Sequence, residues 1–261
     1  MPRFRLVLEY DGSDFQGWQS QAAGVRTVQG TLEEAVAHLA GGPVPLVGAG
    51  RTDTGVHAEG QVASLAFETR LGAPELARAL NAALPPDLGV LACDVVPDAF
   101  HPRRDALSKL YRYDVWNRRE PSPLRRRRWH RVPGRLDLGA MARAASDFEG
   151  THDFAALQST GSGVRTTERT LLRCEVEAEG GEVRLFVEGT GFLRHMVRTL
   201  AGTLLEVGQG RRSADTIPAL LAGRERRAAG PTAPAHGLTL VAVRYPDDQA
   251  SGAVSAVNPG A

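Results

Sequence analysis

A glycine-rich segment in the first quarter of the chain carries residues that could do chemistry. It reads Gly48-Ala49-Gly50-Arg51-Thr52-Asp53-Thr54-Gly55-Val56-His57-Ala58. Small residues around Arg51 and Asp53 would let a bulky planar ligand approach the backbone closely. Rigid scaffolds often hold their reactive groups on loops of this kind. Asp53 is therefore a candidate catalytic carboxylate, although the segment alone fits equally well a turn that Asp53 merely caps.

A second segment, at residues 189–198, passes from a predicted strand into a predicted helix. Arg194 and Arg198 are four residues apart and would share one helix face, opposite an apolar stripe. An arginine on that face beside a carboxylate would keep the carboxylate ionised and oriented. The alternative is a surface helix with solvated arginines. We interpret His195 as a polar neighbour rather than a metal ligand, because no second ligand stands at metal-binding spacing.

Positive charge is concentrated in one stretch of a chain whose net charge is only +1. Residues 103–135 contain 12 Arg or Lys residues against 3 Asp or Glu residues, a net of +9, and include the run from Arg125 to Arg128. Such a stretch would neutralise phosphates and release counterions, the sequence-independent part of nucleic-acid affinity. The stretch favours a nucleic-acid partner over the alternative, a solvated loop in an arginine-rich protein whose only lysine is Lys109.

Composition and hydropathy indicate a globular protein outside the membrane. Hydrophobic residues make up 42% of the 261 residues and charged residues 23%, both ordinary proportions. No apolar stretch is long enough to span a bilayer, and the chain enters the alternating pattern of residues 3–10 without an apolar signal core. We therefore expect a cytoplasmic protein.

The elements that must position these segments follow strand and helix periodicities in both halves of the chain. Strand patterns occur at residues 3–10, 62–67, 90–96, 109–116, 171–178, 183–187 and 238–245. Helix patterns occur around residues 28–39, 74–84, 138–148 and 192–207. They predict an α+β fold of two similar halves, residues 1–105 and 106–246, with a mainly antiparallel mixed sheet flanked by helices around a central cleft. Residues 247–261 lack periodicity and are predicted to form a flexible tail.

Three local signals predict where elements begin, turn or end. Thr31 and Glu34 stand in a capping-box arrangement in the first helix. Gly180-Gly181 predicts a hairpin, because glycine tolerates the positive φ of a tight turn. Gly208 is expected to end the long helix of the second half.

Six segments of the chain carry distinctive residue patterns. They are Tyr10-Asp11-Gly12-Ser13-Asp14-Phe15-Gln16-Gly17-Trp18-Gln19, Gly50-Arg51-Thr52-Asp53-Thr54-Gly55-Val56-His57-Ala58, Tyr111-Arg112-Tyr113, Gly150-Thr151-His152-Asp153-Phe154, Gly191-Phe192-Leu193-Arg194-His195-Met196-Val197-Arg198 and Thr232-Ala233-Pro234-Ala235-His236-Gly237-Leu238. Taken together, these segments resemble the bacterial TruA family of tRNA pseudouridine synthases, in the family's order over residues 3 to 246 and with an RNA-binding cleft implied between the two halves.

The resemblance implies a homodimer of α+β subunits that binds tRNA across both protomers. It implies isomerisation of uridines 38, 39 and 40 in the anticodon stem-loop, with no metal or organic cofactor. Matched residue by residue, Asp53 is implied as the catalytic aspartate, and Arg198 as its ion-pair partner. Tyr111 is implied to stack on or touch the target uracil, and Arg51 to help turn the base out of its stack.

Two other functions fit parts of the pattern. Asp53-Thr54-Gly55 after an apolar strand resembles the aspartyl-phosphate loop of phosphatases and P-type pumps. Those sites need Mg²⁺ and further carboxylates, and Gly55 stands where a second Asp would be needed. Stacked α+β units with exposed aromatics can also bind RNA without chemistry, although the set of Asp53, Tyr111 and Arg198 favours an enzyme.

Overall fold

The structure, a computed structural model, describes residues 1–22, 24–159 and 164–246. The predicted tail at residues 247–261 lies outside the described residues. The described strands are β1 (Arg3–Tyr10), β2 (Leu46–Gly48), β3 (His57–Ala66), β4 (Leu88–Val96), β5 (Ser108–Trp116), β6 (His130–Arg131), β7 (Gly150–Asp153), β8 (Glu168–Glu179), β9 (Glu182–Gly189) and β10 (Leu238–Arg244). The described α-helices are α1 (Val28–Ala40), α2 (Ala73–Ala83), α3 (Leu138–Ser146), α4 (Met196–Gly208) and α5 (Ile217–Gly223).

These strands form one mixed sheet in the order β4-β1-β3-β10-β5-β9-β8-β7, with β2 added to β3 and β6 added to β5. Most neighbours are antiparallel, and the parallel pairs are β10 with β3 and β6 with β5. The predicted α+β class with a mainly antiparallel sheet flanked by helices is confirmed. The expected boundary between residues 105 and 106 falls just before β5, and the last strand, β10, lies between β3 and β5.

The core follows the periodicities of the sequence. Alternate side chains of β1, namely Phe4, Leu6, Leu8 and Tyr10, are buried, as expected for a strand with one face against the core. Helix α4 is buried along most of its length, so it packs as a central helix rather than a surface one. Within the described residues, every helix is too short or too polar to cross a bilayer.

The predicted turn between β8 and β9 is confirmed. Gly180 has φ 55° and Gly181 has φ 92°, and strand pairing continues to Glu179 and Glu182 on either side. Positive φ at both central residues is the requirement that selects glycine here.

One predicted helix cap and one predicted helix start are wrong. Helix α1 is capped by Thr27, whose hydroxyl accepts a hydrogen bond from the Gly30 amide at 3.2 Å, so Thr31 lies inside the helix rather than at a capping box. Helix α4 begins at Met196 rather than near Phe192, because His195 adopts a left-handed conformation with φ 62°. Arg194 therefore precedes the helix and does not share a helix face with Arg198.

At Gly202, helix α4 packs against the segment from Pro231 to Ala233, which also contacts Arg198. A Cβ at Gly202 would lie 1.8 Å from the Pro231 carbonyl oxygen, and two residues further on the Ala233 amide donates to the Arg198 carbonyl at 3.0 Å. We predict that Gly202→Ala lowers the free energy of unfolding by about 3 kcal/mol, because backbone must move to admit the methyl group. Urea denaturation measures this change.

Gly223 in α5 offers a matched glycine-to-alanine control. Among the described residues, no atom lies within 4 Å of a Cβ placed there. Gly223→Ala should be neutral, or stabilising by up to about 1 kcal/mol. Equal urea midpoints for the two variants would show that the close approach at Gly202 is not a packing constraint.

Candidate active site

The loop that carries Asp53 joins β2 to β3 and is fixed to the sheet through its backbone. The Ala49 amide donates to the Val62 carbonyl at 2.8 Å, and the Trp18 amide donates to the Thr52 carbonyl at 3.0 Å. The Thr52 hydroxyl lies 2.9 Å from the buried Tyr10 hydroxyl. On the other side, the Val56 amide donates to the Asp53 carbonyl at 3.1 Å. Hydrogen bonds before and after Asp53 thus hold its backbone in one place, as a catalytic group requires.

Two glycines of the segment at residues 10–19 pack directly against this loop. A Cβ at Gly12 would lie 2.0 Å from the Val56 carbonyl oxygen, and one at Gly17 would lie 2.8 Å from the Thr52 carbonyl oxygen. Any larger residue would push the loop away. The first of the six segments therefore acts as the support of the second.

His57 connects the same loop to more distant parts of the chain. Its Nδ1 accepts the Gly12 amide at 3.0 Å, so the proton of the neutral ring is on Nε2, which donates to the carbonyls of Arg127 at 3.0 Å and His236 at 3.2 Å. Burial lowers the pKa of His57, and this effect outweighs the Asp11 charge, which would raise it. The neutral ring therefore ties residues 12, 127 and 236 together behind Asp53.

Asp53 forms an ion pair with Arg198 of α4. Arg198 Nη1 lies 3.1 Å from Asp53 Oδ2, and Arg198 Nε donates to the Ala233 carbonyl at 2.8 Å. The Asp53 side chain is 33% exposed, whereas that of Arg198 is 16% exposed. Among the described residues, none makes a hydrogen bond with Asp53 Oδ1. One carboxylate oxygen is thus anchored and the other is open to a ligand.

His195 also contacts the anchored oxygen, which sequence reasoning missed. Its Nε2 lies 3.5 Å from Asp53 Oδ2, and its Nδ1 lies 2.7 Å from the Ser159 hydroxyl. Burial lowers the pKa of His195 despite the opposing charge of Asp53, and the Arg198 charge lowers it further. A left-handed backbone at a residue other than glycine costs about 1–2 kcal/mol. The sequence gives no signal for this conformation, which is what turns the ring toward Asp53.

Tyr111 lies on β5, between β10 and β9, and forms a wall near the carboxylate. It is 8% exposed, and its ring packs edge-on against Phe192, with centroids 5.1 Å apart and planes at 81°. Burial raises the pKa of Tyr111 well above its ordinary value, and electrostatic interactions with Tyr10 and with the Asp53 carboxylate add to the shift. The phenol is therefore protonated at neutral pH and lies within electrostatic range of Asp53.

Arg51 is two residues before Asp53 but does not join the ion pair. Its side chain is exposed, and it makes no ion pair or side-chain hydrogen bond with any residue in the described ranges. The structure thus brings Asp53, Arg198 and His195 into contact and leaves the Arg51 guanidinium in solvent. The link of Tyr111 to this group is the Asp53 charge, which contributes to the raised pKa of Tyr111.

Comparison with known proteins identifies the family of this site. A family model described as tRNA pseudouridine synthase matches residues 6–103 and 144–246, which include Asp53 and Arg198. The chain belongs to the tRNA pseudouridine synthase family. The TruA resemblance of the six segments is confirmed, because the curated relatives are tRNA pseudouridine synthase A proteins.

Three of these tRNA pseudouridine synthase A relatives are similar along nearly their whole length. The protein of Acetivibrio thermocellus is 45% identical over 245 residues, covering 94% of this chain and all of the relative. That of Roseiflexus castenholzii is 49% identical over 253 residues, covering 95% and 92%. That of Myxococcus xanthus is 46% identical over 248 residues, covering 95% and 93%.

Membership of the tRNA pseudouridine synthase family makes the chain an isomerase. This assignment replaces the two alternative functions, an aspartyl-phosphate enzyme and an RNA-binding module without catalysis. Within residues 1–22, 24–159 and 164–246, no group of three or more His, Cys, Asp or Glu side chains could hold a metal ion.

Four of the 12 cations in the basic stretch of this tRNA pseudouridine synthase pair with acidic side chains within the protein. Arg112 pairs with Glu59 at 2.9 Å and Asp114 at 2.8 Å. The other paired arginines are Arg125 with Glu182, Arg127 with Asp14, and Arg128 with Glu59 at 3.8 Å. The run at residues 125–128 thus contributes less free positive charge than its sequence indicates.

Proposed function

We propose that this tRNA pseudouridine synthase converts uridines 38, 39 and 40 of the tRNA anticodon stem-loop to pseudouridine, with Asp53 as its catalytic carboxylate and without a cofactor. The observation that carries the proposal is the asymmetric carboxylate. Arg198 holds Asp53 Oδ2 at 3.1 Å, while Oδ1 accepts no hydrogen bond from a described residue. An oriented carboxylate with one free oxygen is suited to act as a nucleophile or base.

The target uridine must leave its stack before Asp53 can reach it. Eversion of a base costs a few kcal/mol, which contacts in the pocket offset. Arg51 is exposed and has no ionic partner in the described chain, so it is free to enter the space that the base vacates. Tyr111 is fixed by Phe192, so its ring can serve as a rigid platform for the everted uracil.

The reaction breaks the C1′–N1 bond and forms a C1′–C5 bond. In one route Asp53 Oδ1 bonds to C1′ as the uracil leaves with the electron pair of the C1′–N1 bond. The uracil then rotates, C5 attacks C1′ and the carboxylate is expelled. Two other routes start from the same oxygen, by attack on C6 or by removal of the 2′ proton to give a glycal. In each route the C5 proton is finally lost and N1 gains a proton.

Arg198 and His195 act on the other oxygen of Asp53 in all three routes. The guanidinium of Arg198 keeps the carboxylate charged and fixes its angle, which prepares the site before the substrate binds. His195 adds a second contact to Oδ2 and is itself held by Ser159. These residues are therefore positioning residues for Asp53.

The proposal includes a homodimer that binds tRNA across both protomers in the cytoplasm. Its support is the family resemblance, together with the relatives named tRNA pseudouridine synthase A. Several adjacent uridines in many tRNAs are best selected by the shape and backbone of the stem-loop rather than by base sequence.

Pseudouridine maps of cellular tRNA test the proposed positions. In cells that lack this protein, we expect pseudouridine to disappear at positions 38, 39 and 40 and to persist elsewhere, and we expect a plasmid copy of the parent gene to restore it. Loss confined to another arm of tRNA would reject the proposed positions while leaving the family assignment in place.

A further inference from the structure

Lys109 is one of the cations of the stretch at residues 103–135 that pair with no acidic side chain among the described residues. Arg112, Arg125, Arg127 and Arg128 each pair with an acidic side chain. Lys109 makes no ion pair or side-chain hydrogen bond with any residue in the described ranges. Its charge is therefore available to a ligand, although the residue lies on a central strand.

The position of Lys109 is set by β5 and by the loop that carries Asp53. Lys109 is two residues before Tyr111, so both side chains project from the same face of the strand. The Lys109 side chain crosses Gly50, with Cε 3.3 Å and Nζ 3.9 Å from the position that a Cβ on Gly50 would occupy. The ammonium group is thus beside the loop between Gly50 and Asp53, on the side of the site where Tyr111 forms the wall.

Two further cations lie around Lys109. Arg51 follows Gly50 in the chain and is exposed. Arg103 is exposed and close enough that its positive charge adds to burial in lowering the pKa of Lys109. Neither arginine forms an ion pair with an acidic side chain in the part of the chain that the structure describes. Three cations without internal counterions form a local positive field, which favours binding of an anion.

The choice of lysine at position 109 also favours an anion-binding role. The chain has 31 Lys and Arg residues, and Lys109 is the only lysine among them. A lysine ammonium is a compact point charge on a flexible stem, whereas a guanidinium is planar and broader. The aliphatic stem of Lys109 runs across Gly50, where an added Cβ would lie 3.3 Å from Lys109 Cε.

We propose that Lys109, with Arg51 and Arg103 beside it, forms a subsite for a phosphodiester group of the RNA strand next to the everted uridine. The inference rests on the proposed function, since a nucleotide that reaches Asp53 carries its flanking phosphodiesters into the same site. Phosphate contacts of this kind position the strand without reading its sequence. The subsite fixes the backbone of the target nucleotide while its base rotates.

Binding of unmodified tRNA to charge variants provides the first test. Lys109→Gln should raise the Kd about tenfold at low salt and reduce the slope of log K against log salt by about one, with kcat at saturating tRNA changed less than about threefold. Lys109→Arg keeps the charge and should keep most of the affinity. Arg78→Gln is the matched control, because Arg78 is exposed on α2, which packs on the edge strand β4.

The single lysine makes a second test possible without substitution at position 109. In this chain, acetylation can modify only Lys109 and the N-terminal amine. Saturating unmodified tRNA should slow acetylation of Lys109 at least about tenfold in the Asp53→Asn enzyme, which would hold tRNA without turnover, and should leave the N-terminal amine unaffected. Peptide mass spectrometry measures both rates in one sample.

Two outcomes would overturn the phosphodiester subsite. One is an unchanged Kd and salt slope for Lys109→Gln together with unprotected Lys109. The other is a large loss of kcat at saturating tRNA with an unchanged Kd, which would assign Lys109 to the uracil rather than to the backbone. Neither measurement depends on which uridine is converted, so failure of the subsite is distinguishable from failure of the proposed positions.

Discussion

Asp53→Asn is expected to lower the single-turnover rate of pseudouridine formation by at least about 10⁴-fold, the scale seen when a residue that acts directly on the substrate is removed. An amide has nearly the same shape as a carboxylate but neither attacks a carbon nor takes a proton at neutral pH. The Kd for unmodified tRNA should change less than about threefold, because most affinity comes from phosphate contacts elsewhere. Rapid-quench assays with enzyme in excess over tRNA measure the rate.

Asp98→Asn is the matched control for this substitution. Asp98 is exposed in the segment after β4, and the same change of one carboxylate to an amide should leave the rate within about twofold of the parent. Retention of more than a tenth of the parent rate by Asp53→Asn would remove Asp53 from the chemistry. A joint loss of tRNA binding and folding would show a structural role instead.

Substitution of Arg198 has the second largest expected effect. Arg198→Gln should lower kcat about 10²-fold, because removal of one preorganised charge partner from a reacting group typically costs 10²–10³ in rate. Arg198→Lys should recover only part of this loss, since an ammonium cannot reproduce the geometry in which Nη1 contacts Asp53 and Nε contacts the Ala233 carbonyl. Steady-state kinetics at saturating tRNA give the comparison.

The control for Arg198 must separate positioning of Asp53 from stability. Arg211→Gln lies just beyond the other end of α4 and is exposed, so it should leave kcat unchanged. The lost hydrogen bond to Ala233 should cost Arg198→Gln about 1–2 kcal/mol of unfolding free energy, which urea denaturation detects. If kcat recovers fully under conditions that restore stability, Arg198 serves the fold and not the carboxylate.

Most elements could be predicted from the sequence because their periodicities match their burial. The alternating residues of β1 and the apolar stripe at Val28, Leu32 and Val36 are buried as expected. The order of strands in the sheet could not be predicted. The placement of β10 between β3 and β5 depends on a short parallel pairing at Thr239 and Leu240, and local patterns carry no information about such distant partners.

The start of α4 was predicted wrongly because of one backbone angle, the positive φ of His195. Helical spacing across residues 192–207 favours a continuous helix, but the helix starts only at Met196, directly after His195 in its left-handed conformation. Because a positive φ at a residue other than glycine is rare, the sequence could not indicate it. The same angle brings His195 to Asp53, so the wrong helix start and the missed site residue have one cause.

The charge of the basic stretch was readable from the sequence, but its distribution between internal pairs and free cations was not. Arg125 and Arg127 find carboxylates on Glu182 and Asp14, which are far away in the sequence. Lys109 is one residue of the same stretch and finds none among the described residues. The paired arginines and the unpaired Lys109 can be told apart only in the folded chain, where the Lys109 stem lies over Gly50.

The most direct test of whether Asp53 acts on the anticodon arm is a nucleotide-resolution pseudouridine map of one unmodified tRNA. The tRNA is incubated separately with the parent enzyme and with Asp53→Asn, at concentrations that bind the same fraction of the tRNA. The expected map shows pseudouridine at uridines among positions 38, 39 and 40 with the parent and none with the variant, although both bind the tRNA. Conversion of those uridines by Asp53→Asn, or conversion by the parent only outside the anticodon arm, would contradict it.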